Sequence, residues 1–315
     1  MIKYFFNLSV FLSITLCQAQ NSFKVIPLGV YGGGEESNLS SYMAAPMNSE
    51  NYVALDAGTL RSGIEKAIEQ GNFKGNSASQ VLKQNIKGYL ISHAHLDHVS
   101  GMIINSPDDS KKSVYTLPSV SKIITGKYFS WESWANFTNV GELPHLNKYS
   151  MIDLDSGVEI PVSDTEMYVT AFPLSHVNPY ESTAFLLRHN KEYLLYLGDT
   201  GSDRIEKSNK LEALWKQIAP YVNNQKLKGI LIEVSFPNEQ PDTSLFGHLT
   251  PALLENELNV LNNLCQPGKL KNVPVIITHL KPVDDHIEKI KKQLKEKNTL
   301  GMKYIFPVQG EKIVL

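Results

Sequence analysis

Three histidines and an aspartate fall within six positions, at His93, His95, Asp97 and His98, in the stretch YLISHAHLDHVSG (89–101). The chain has only nine histidines in 315 residues, so this crowding belongs to the segment and not to the composition. Imidazole nitrogens and a carboxylate oxygen are the donors that zinc and similar divalent ions take. Side chains two apart on an extended chain share a face, so His93 and His95 point the same way. A turn after Leu96 then swings Asp97 and His98 toward a second centre. One stiff strand feeding one tight loop can therefore serve two ions.

A metal centre needs more donors than one segment holds. His176 follows VTAFPLS, Asp199 ends EYLLYLGD, and His279 ends VPVIIT. Each is a single polar donor at the carboxyl end of an apolar run, where layered α/β folds build their sites. His248, in LFGHLTP, stands in a loop ahead of a helix. Its place suits a substrate-binding or supporting residue better than a ligand. His145, His189 and His286 lack such placement and read as ordinary surface or core residues.

The elements that must position these donors alternate along the chain. Strands are expected at 23–31, 39–45, 52–58 and 86–92, with a helix at 61–71. A three-strand meander is expected over 166–175, 183–189 and 192–199, then strands at 227–235, 273–280, 303–306 and 312–315. Helices are expected at 208–222, at 250–264 with Thr250-Pro251 as its entry, and at 283–297. The aromatic-rich segment 127–147 reads as a helical insertion between the halves. Both halves mix strands and helices, which predicts layers in the order helix, sheet, sheet, helix.

Taken in order, His93, His95, Asp97, His98, His176, Asp199 and His279, with Asp56 in LDAGT ahead of them, resemble the ligand series of the metallo-β-lactamase superfamily. The resemblance covers essentially the whole mature chain. It implies an α/β fold, a four-layer αββα sandwich with a dinuclear site at one edge. It gives His93, His95 and His176 to one metal, Asp97, His98 and His279 to the other, and Asp199 to both. Two divalent ions are implied, with zinc expected. The flanks narrow the family: HAHLDHVSGMIINSP is similar to the signature of the class II cyclic-nucleotide phosphodiesterases. LGVYGGGEESNLSSYMAA, LDAGT, FGHLTP, THLKP and FPVQGEKI resemble that family in the same order. Acidic side chains would repel a phosphate, so Glu35 and Glu36 are expected to point outward, with Asn38 or backbone N–H groups facing the ligand.

The implied activity is metal-dependent hydrolysis of 3′,5′-cyclic nucleotides, cAMP and also cGMP as candidates, to 5′-nucleoside monophosphates. On this reading a metal-bridging hydroxide attacks phosphorus in line with the 3′ oxygen, Asp97 and Asp199 hold the metals and orient it, and a metal-bound water or His248 protonates the leaving oxygen. The base would stack on an aromatic; Tyr42, Tyr128, Phe129, Trp131 and Trp134 are available. The rivals are another hydrolase of this fold (a lactonase, a β-lactamase or another phosphodiesterase or esterase) and a non-enzymatic ligand-binding relative. A substrate panel separates the first; the complete donor set argues against the second. No G-x-S-x-G elbow is present for serine chemistry.

Composition sets the remaining bounds. Hydrophobic residues make up 42%, charged residues 20%, and the net charge is −2 with both signs scattered, so no nucleic-acid partner is indicated. MIKYFFNLSVFLSITLCQAQ has a lysine, an apolar stretch and then small residues, which reads as a signal peptide over 1–19 cleaved near Ala19. One domain is then expected over 20–315, exported to the periplasm or secreted, with no membrane span. Cys17 lies in that leader, leaving Cys265 alone as a buried helix residue and no internal disulfide. The partner expected is the small cyclic nucleotide. If the chain associates, a dimer is the commonest form.

Overall fold

The computed structural model describes residues 22–315, so the leader, Ala19 and Cys17 lie outside the described residues. The first half supplies β1 (Phe23–Gly29), β2 (Ser41–Pro46), β3 (Tyr52–Leu55), β4 (Ile86–Leu90), β5 (Lys112–Thr116) and β6 (Tyr149–Asp153). The second supplies β7 (Glu159–Pro161), β8 (Tyr168–Ser175), β9 (Glu181–His189), β10 (Glu192–Leu197), β11 (Leu227–Glu233), β12 (Pro274–Thr278) and β13 (Lys303–Ile305). The last strand, β14 (Ile313–Val314), returns to the first sheet. The sheets run β14-β1-β2-β3-β4-β5-β6 and β13-β12-β11-β10-β9-β8-β7.

Both sheets follow the same plan. Pairs β14/β1, β1/β2 and β2/β3 are antiparallel, and β3/β4, β4/β5 and β5/β6 are parallel. In the second sheet β7/β8, β8/β9 and β9/β10 are antiparallel, and β10/β11, β11/β12 and β12/β13 are parallel. The expected meander is β8-β9-β10. The helices are α1 (Arg61–Glu69), α2 (Ala78–Gln80), α3 (Leu96–Asn105), α4 (Pro118–Ile123), α5 (Asp203–Glu206), α6 (Lys210–Asn223), α7 (Pro251–Leu264) and α8 (His286–Lys297). Thr250 caps α7 by accepting from Leu253 N at 3.3 Å, as its Thr-Pro entry predicts.

Strand alternation builds two cores. Phe185, Leu187, Leu194, Tyr196 and Leu231 point into the core shared with the first sheet. Ala184, Leu186, Leu195, Ile230 and Ile232 point the other way and pack with α6, α7 and α8 residues such as Trp215, Leu254 and Ile290. The result is the αββα sandwich. Hydrogen bonds that cross the seam between sheets include Tyr196 OH donating to Asp56 Oδ2 at 2.5 Å and Thr183 Oγ1 donating to Ser92 O at 2.7 Å.

Three expectations are corrected. Helix α3 begins at Leu96, where a turn was expected. Segment 127–147 is not helical beyond Tyr128. Asn136 holds it instead: its Nδ2 donates to Val140 O and Glu142 O, and its Oδ1 accepts from Thr138. Cys265 caps the end of α7, half-buried and free, not inside the helix. Among the described residues no helix is long and apolar enough to cross a membrane.

Candidate metal centre

The donors sit at strand ends. β4 ends at Leu90, and an extended link carries His93 and His95; His95 is also the N-cap of α3. Asp97 and His98 lie in the first turn of α3, where the helix dipole favours the Asp97 carboxylate. His176 follows β8, Asp199 follows β10 and His279 follows β12. All are buried except His95 and Asp97, which open toward solvent.

Their donor atoms converge in two groups that share Asp199. In one, His93 Nε2 and His176 Nε2 stand 3.1 and 3.3 Å from His95 Nδ1, and 3.6 and 3.9 Å from Asp199 Oδ2. In the other, His279 Nε2 lies 3.1 Å from Asp97 Oδ2 and 3.2 Å from Asp199 Oδ2, while His98 Nε2 lies 3.3 Å from Asp199 Oδ1. His98 Nε2 is fully buried and has no hydrogen-bond partner. Lone pairs of imidazoles and carboxylates packed this closely need a proton or a cation among them. An orphaned buried nitrogen in a zinc-type donor set fits a divalent ion.

The opposite ring atoms are tied down, which leaves the inward atoms as ligands. His98 Nδ1 lies 2.7 Å from Asp56 Oδ2, His93 Nδ1 3.0 Å from Ser92 Oγ, His176 Nδ1 2.9 Å from Gly247 O, and His279 Nδ1 2.9 Å from Ser235 Oγ. Asp56 also lies within ligand range of His93 and His98. Both its oxygens are consumed, however, by Ser92 N and Oγ at 2.6 Å each, His98 and Tyr196. It positions His98 and leaves the metal to others. His95 is held differently: Tyr180 stacks on it at 4.9 Å and 8°. The Ala94 peptide beside it is clamped, with Tyr128 OH donating to Ala94 O at 2.7 Å and Ala94 N donating to Tyr180 OH at 3.3 Å.

Electrostatics agree with a cation's place. Burial keeps His93 well below the usual imidazole range, lowers His176, and brings His95 down to about 4, so these rings stay neutral and able to ligate. Burial alone would raise Asp97 and Asp199, but the neighbouring histidines outweigh it and hold both low. Burial also opposes charge on His98, yet Asp199, Asp56 and Asp97 overcome it and hold that ring well above its ordinary value.

His248 joins the cluster as a buried residue against Asp199 and His279. Its Nδ1 is 2.8 Å from Glu233 Oε1. Burial, then the Asp199 charge, pushes the Glu233 carboxyl up to about 7. Glu233 was missed in the sequence, although it ends the apolar run LKGILIE just as Asp199 ends its own. Asn38 Oδ1 accepts from Val30 N at 3.0 Å and its backbone closes the Gly-rich loop, so that oxygen serves the loop. From that loop Gly33 N reaches the site, donating to Asp97 Oδ2 at 3.0 Å. Gly32 packs on His279 so closely that a Cβ would fall 2.0 Å from its Cε1. Glu35 and Glu36 are exposed, as expected. Tyr42 and Phe129 are core residues. His145, His189 and His286 stand outside the cluster.

Comparison with known proteins agrees with this geometry. The family described as cAMP phosphodiesterases class-II matches residues 21–310. A 3′,5′-cyclic-nucleotide phosphodiesterase of Aliivibrio fischeri is 45% identical, with 96% of each chain covered. A Dictyostelium discoideum protein named cAMP/cGMP-dependent 3′,5′-cAMP/cGMP phosphodiesterase A is 32% identical, covering 93% of this chain and 81% of its own. Unliganded yeast PDE1 shares the fold with a TM-score of 0.84 at 24% identity, covering 94% of this chain and 100% of its own. The metallo-β-lactamase fold protein YhfI of Bacillus subtilis superposes with a TM-score of 0.61 at 14% identity, over 94% and 100% of the two chains. A family match across nearly the whole described chain, on a sandwich whose strand ends deliver that donor series, means that the chain belongs to the class-II cAMP phosphodiesterases.

Proposed function

We propose that this chain hydrolyses 3′,5′-cyclic nucleotides to 5′-nucleoside monophosphates at the histidine–aspartate cluster, with two divalent ions, zinc by donor type, as cofactor. The convergence of donors from both sheets on Asp199, in a chain of this family, carries the reading. The relatives' names supply the substrate class. When bound, such ions lend Lewis-acid charge to the phosphoryl oxygens and acidify water, which an anionic diester with a poor leaving group needs.

The chain's own residues do the rest. His93, His95 and His176 would hold one ion and Asp97, His98 and His279 the other, with Asp199 placed between the two groups. Asp56, Ser92, Gly247 and Ser235 fix the ring orientations described above. Gly33 N fixes Asp97, so its free oxygen edge is turned by the loop. Burial lowers His248 to about 4, so the ring is neutral with one N–H. When the Glu233 carboxyl, raised to about 7, carries its proton and donates it to His248 Nδ1, the ring proton sits on Nε2, the atom that would hand it to the departing 3′ oxygen. Such a transfer is worth roughly 10² to 10⁴-fold.

We extend the proposal to an exported enzyme. Residues 1–19 have the leader pattern, and the family match begins after them, at residue 21. The test is a metal-quantified preparation incubated with cAMP, cGMP, 2′,3′-cAMP and nitrocefin, with His95→Ala alongside. Release of 5′-AMP or 5′-GMP, lost on chelation and in the variant, is the expected result. Bound metal without turnover of any 3′,5′-cyclic nucleotide would overturn the substrate reading and leave the metal centre standing.

A further inference from the structure

Two loops that carry site histidines present bulky apolar side chains to water at a conformational cost. Val177, directly after His176, has φ +55 and is 49% exposed. Phe246, two residues before His248, has φ +51 and is 65% exposed. The left-handed region is disfavoured for β-branched and aromatic residues, and burial gives neither of these side chains anything in return. Strain of this kind persists only where the surroundings enforce it, and it gathers at ligand clamps.

The surroundings here do enforce it. Gly247 follows Phe246 with φ +74, and its Cα packs so tightly that a Cβ would fall 2.5 Å from Val177 N and 2.7 Å from His176 Nδ1. Gly247 O is the partner of His176 Nδ1 at 2.9 Å. Leu245 is buried, and its carbonyl accepts from His248 N at 3.1 Å. The Phe246 backbone is thus locked between two site histidines, while among the described residues its ring has no aromatic partner. Of the other aromatics beside the site histidines, Tyr180 stacks on His95 and Phe236 packs edge-on against His248, while Tyr42 and Phe129 are core.

We propose that Phe246 and Val177 form the platform that receives the heterocyclic base of the cyclic nucleotide, with the phosphodiester directed at the metal centre. The inference rests on the proposed function. A phenyl ring and an isopropyl group offer a π-face and an apolar edge but no hydrogen bond, so the platform stacks any base and does not discriminate between purines. Base–aromatic stacking removed by truncation is worth about 5- to 150-fold in affinity.

The experiment compares metal-quantified wild type with Phe246→Gly, Phe246→Trp and Val177→Gly on cAMP, cGMP and baseless ribose 3′,5′-cyclic phosphate. Phe246→Gly removes the ring and also relieves the strained φ, so its melting temperature should hold or rise while kcat/KM for cAMP and cGMP falls together. The fall should appear in KM, leave the baseless diester within about twofold, and be reversed by Phe246→Trp. An equal fall on the baseless diester, or none on the nucleotides, would overturn the platform alone. A wild type that turns over none of the three would overturn the proposed function. Titration with 5′-AMP then still decides the platform, through weaker binding in Phe246→Gly or equal binding in both.

Discussion

Replacing Asp56 with asparagine probes the support of the centre without touching a proposed ligand. Asp56 is fully buried; Oδ1 accepts from Ser92 N, and Oδ2 from Ser92 Oγ, His98 Nδ1 and Tyr196 OH, all at 2.5–2.7 Å. An amide of the same shape must turn its NH₂ toward one of these sets. The cheaper choice faces Ser92 N–H and creates a single donor–donor contact, costing about 1–3 kcal/mol. The remaining three bonds lose charge assistance, and part of that loss is offset because a buried anion beside Asp97 and Asp199 is gone. A net destabilisation of about 3 kcal/mol follows, or roughly 5–10 °C in melting temperature for a chain of this size. His98 also becomes a weaker donor at Nε2, and loss of such a supporting partner typically weakens metal binding by about 10- to 100-fold. That weakening should be confined to the ion held by His98, so the two stepwise constants in a chelator competition should move apart. Thermal melts of metal-free protein and the competition titration read the two effects separately. A variant with the parental melting temperature and unchanged affinity for both ions refutes the reasoning.

Gly32→Ala drives a methyl into the His279 ring, 2.0 Å from Cε1, so turnover should fall about 100-fold with far-ultraviolet circular dichroism unchanged; activity near wild type contradicts the contact. Tyr128→Phe and Tyr180→Phe each free one side of the Ala94 peptide, and each should weaken the ion at His95 by roughly 3- to 10-fold in a competition titration. The double variant should depart from the product of the two, because both act on one peptide. Glu257, on α7, is lifted by burial, and further by the Asp203 charge, from 4.5 to about 7. A raised carboxyl pKa favours the protonated folded state, so this stability is full below about pH 4.5 and lost as pH rises through about 7. Glu257→Gln should therefore match the parent at the acid end and exceed it by about 2 kcal/mol, after solvent screening, above neutrality; a constant difference in urea melts across that range contradicts the assignment.

The cluster at 93–98 was legible from its spacing, and His176, Asp199 and His279 because each follows an apolar run, patterns that survive in one dimension. The same rule applied to LKGILIE would have found Glu233. Ser92, Ser235 and Tyr180 could not be found that way, since their importance comes from partners brought close by folding, such as Ser235 and His279 across 44 positions. Helix α3 was missed because the ligand cluster occupies its first turn and disguises the helical period. Segment 127–147 looked helical from its aromatic content, yet its order comes from the Asn136 amide, whose bonds have no period to read. The short strands β6 and β7 alternate too briefly to stand out from loops. The base platform was hidden for a different reason: backbone strain at Val177 and Phe246 has no signature in residue type.

The two-sheet origin of the donors has a consequence for the life of the protein. Each proposed ion would take ligands from both sheets, His93 and His95 with His176, and Asp97 and His98 with His279. Among the described residues Cys265 is the only cysteine, so no covalent tie spans the seam. The ions would then act as reversible cross-links closing very long loops, and ligand binding at about 1,000 times Kd adds about 4 kcal/mol to folding. Proteolytic survival would track the metal supply: a starved population would open along the seam and be cleared, while a replete one would persist.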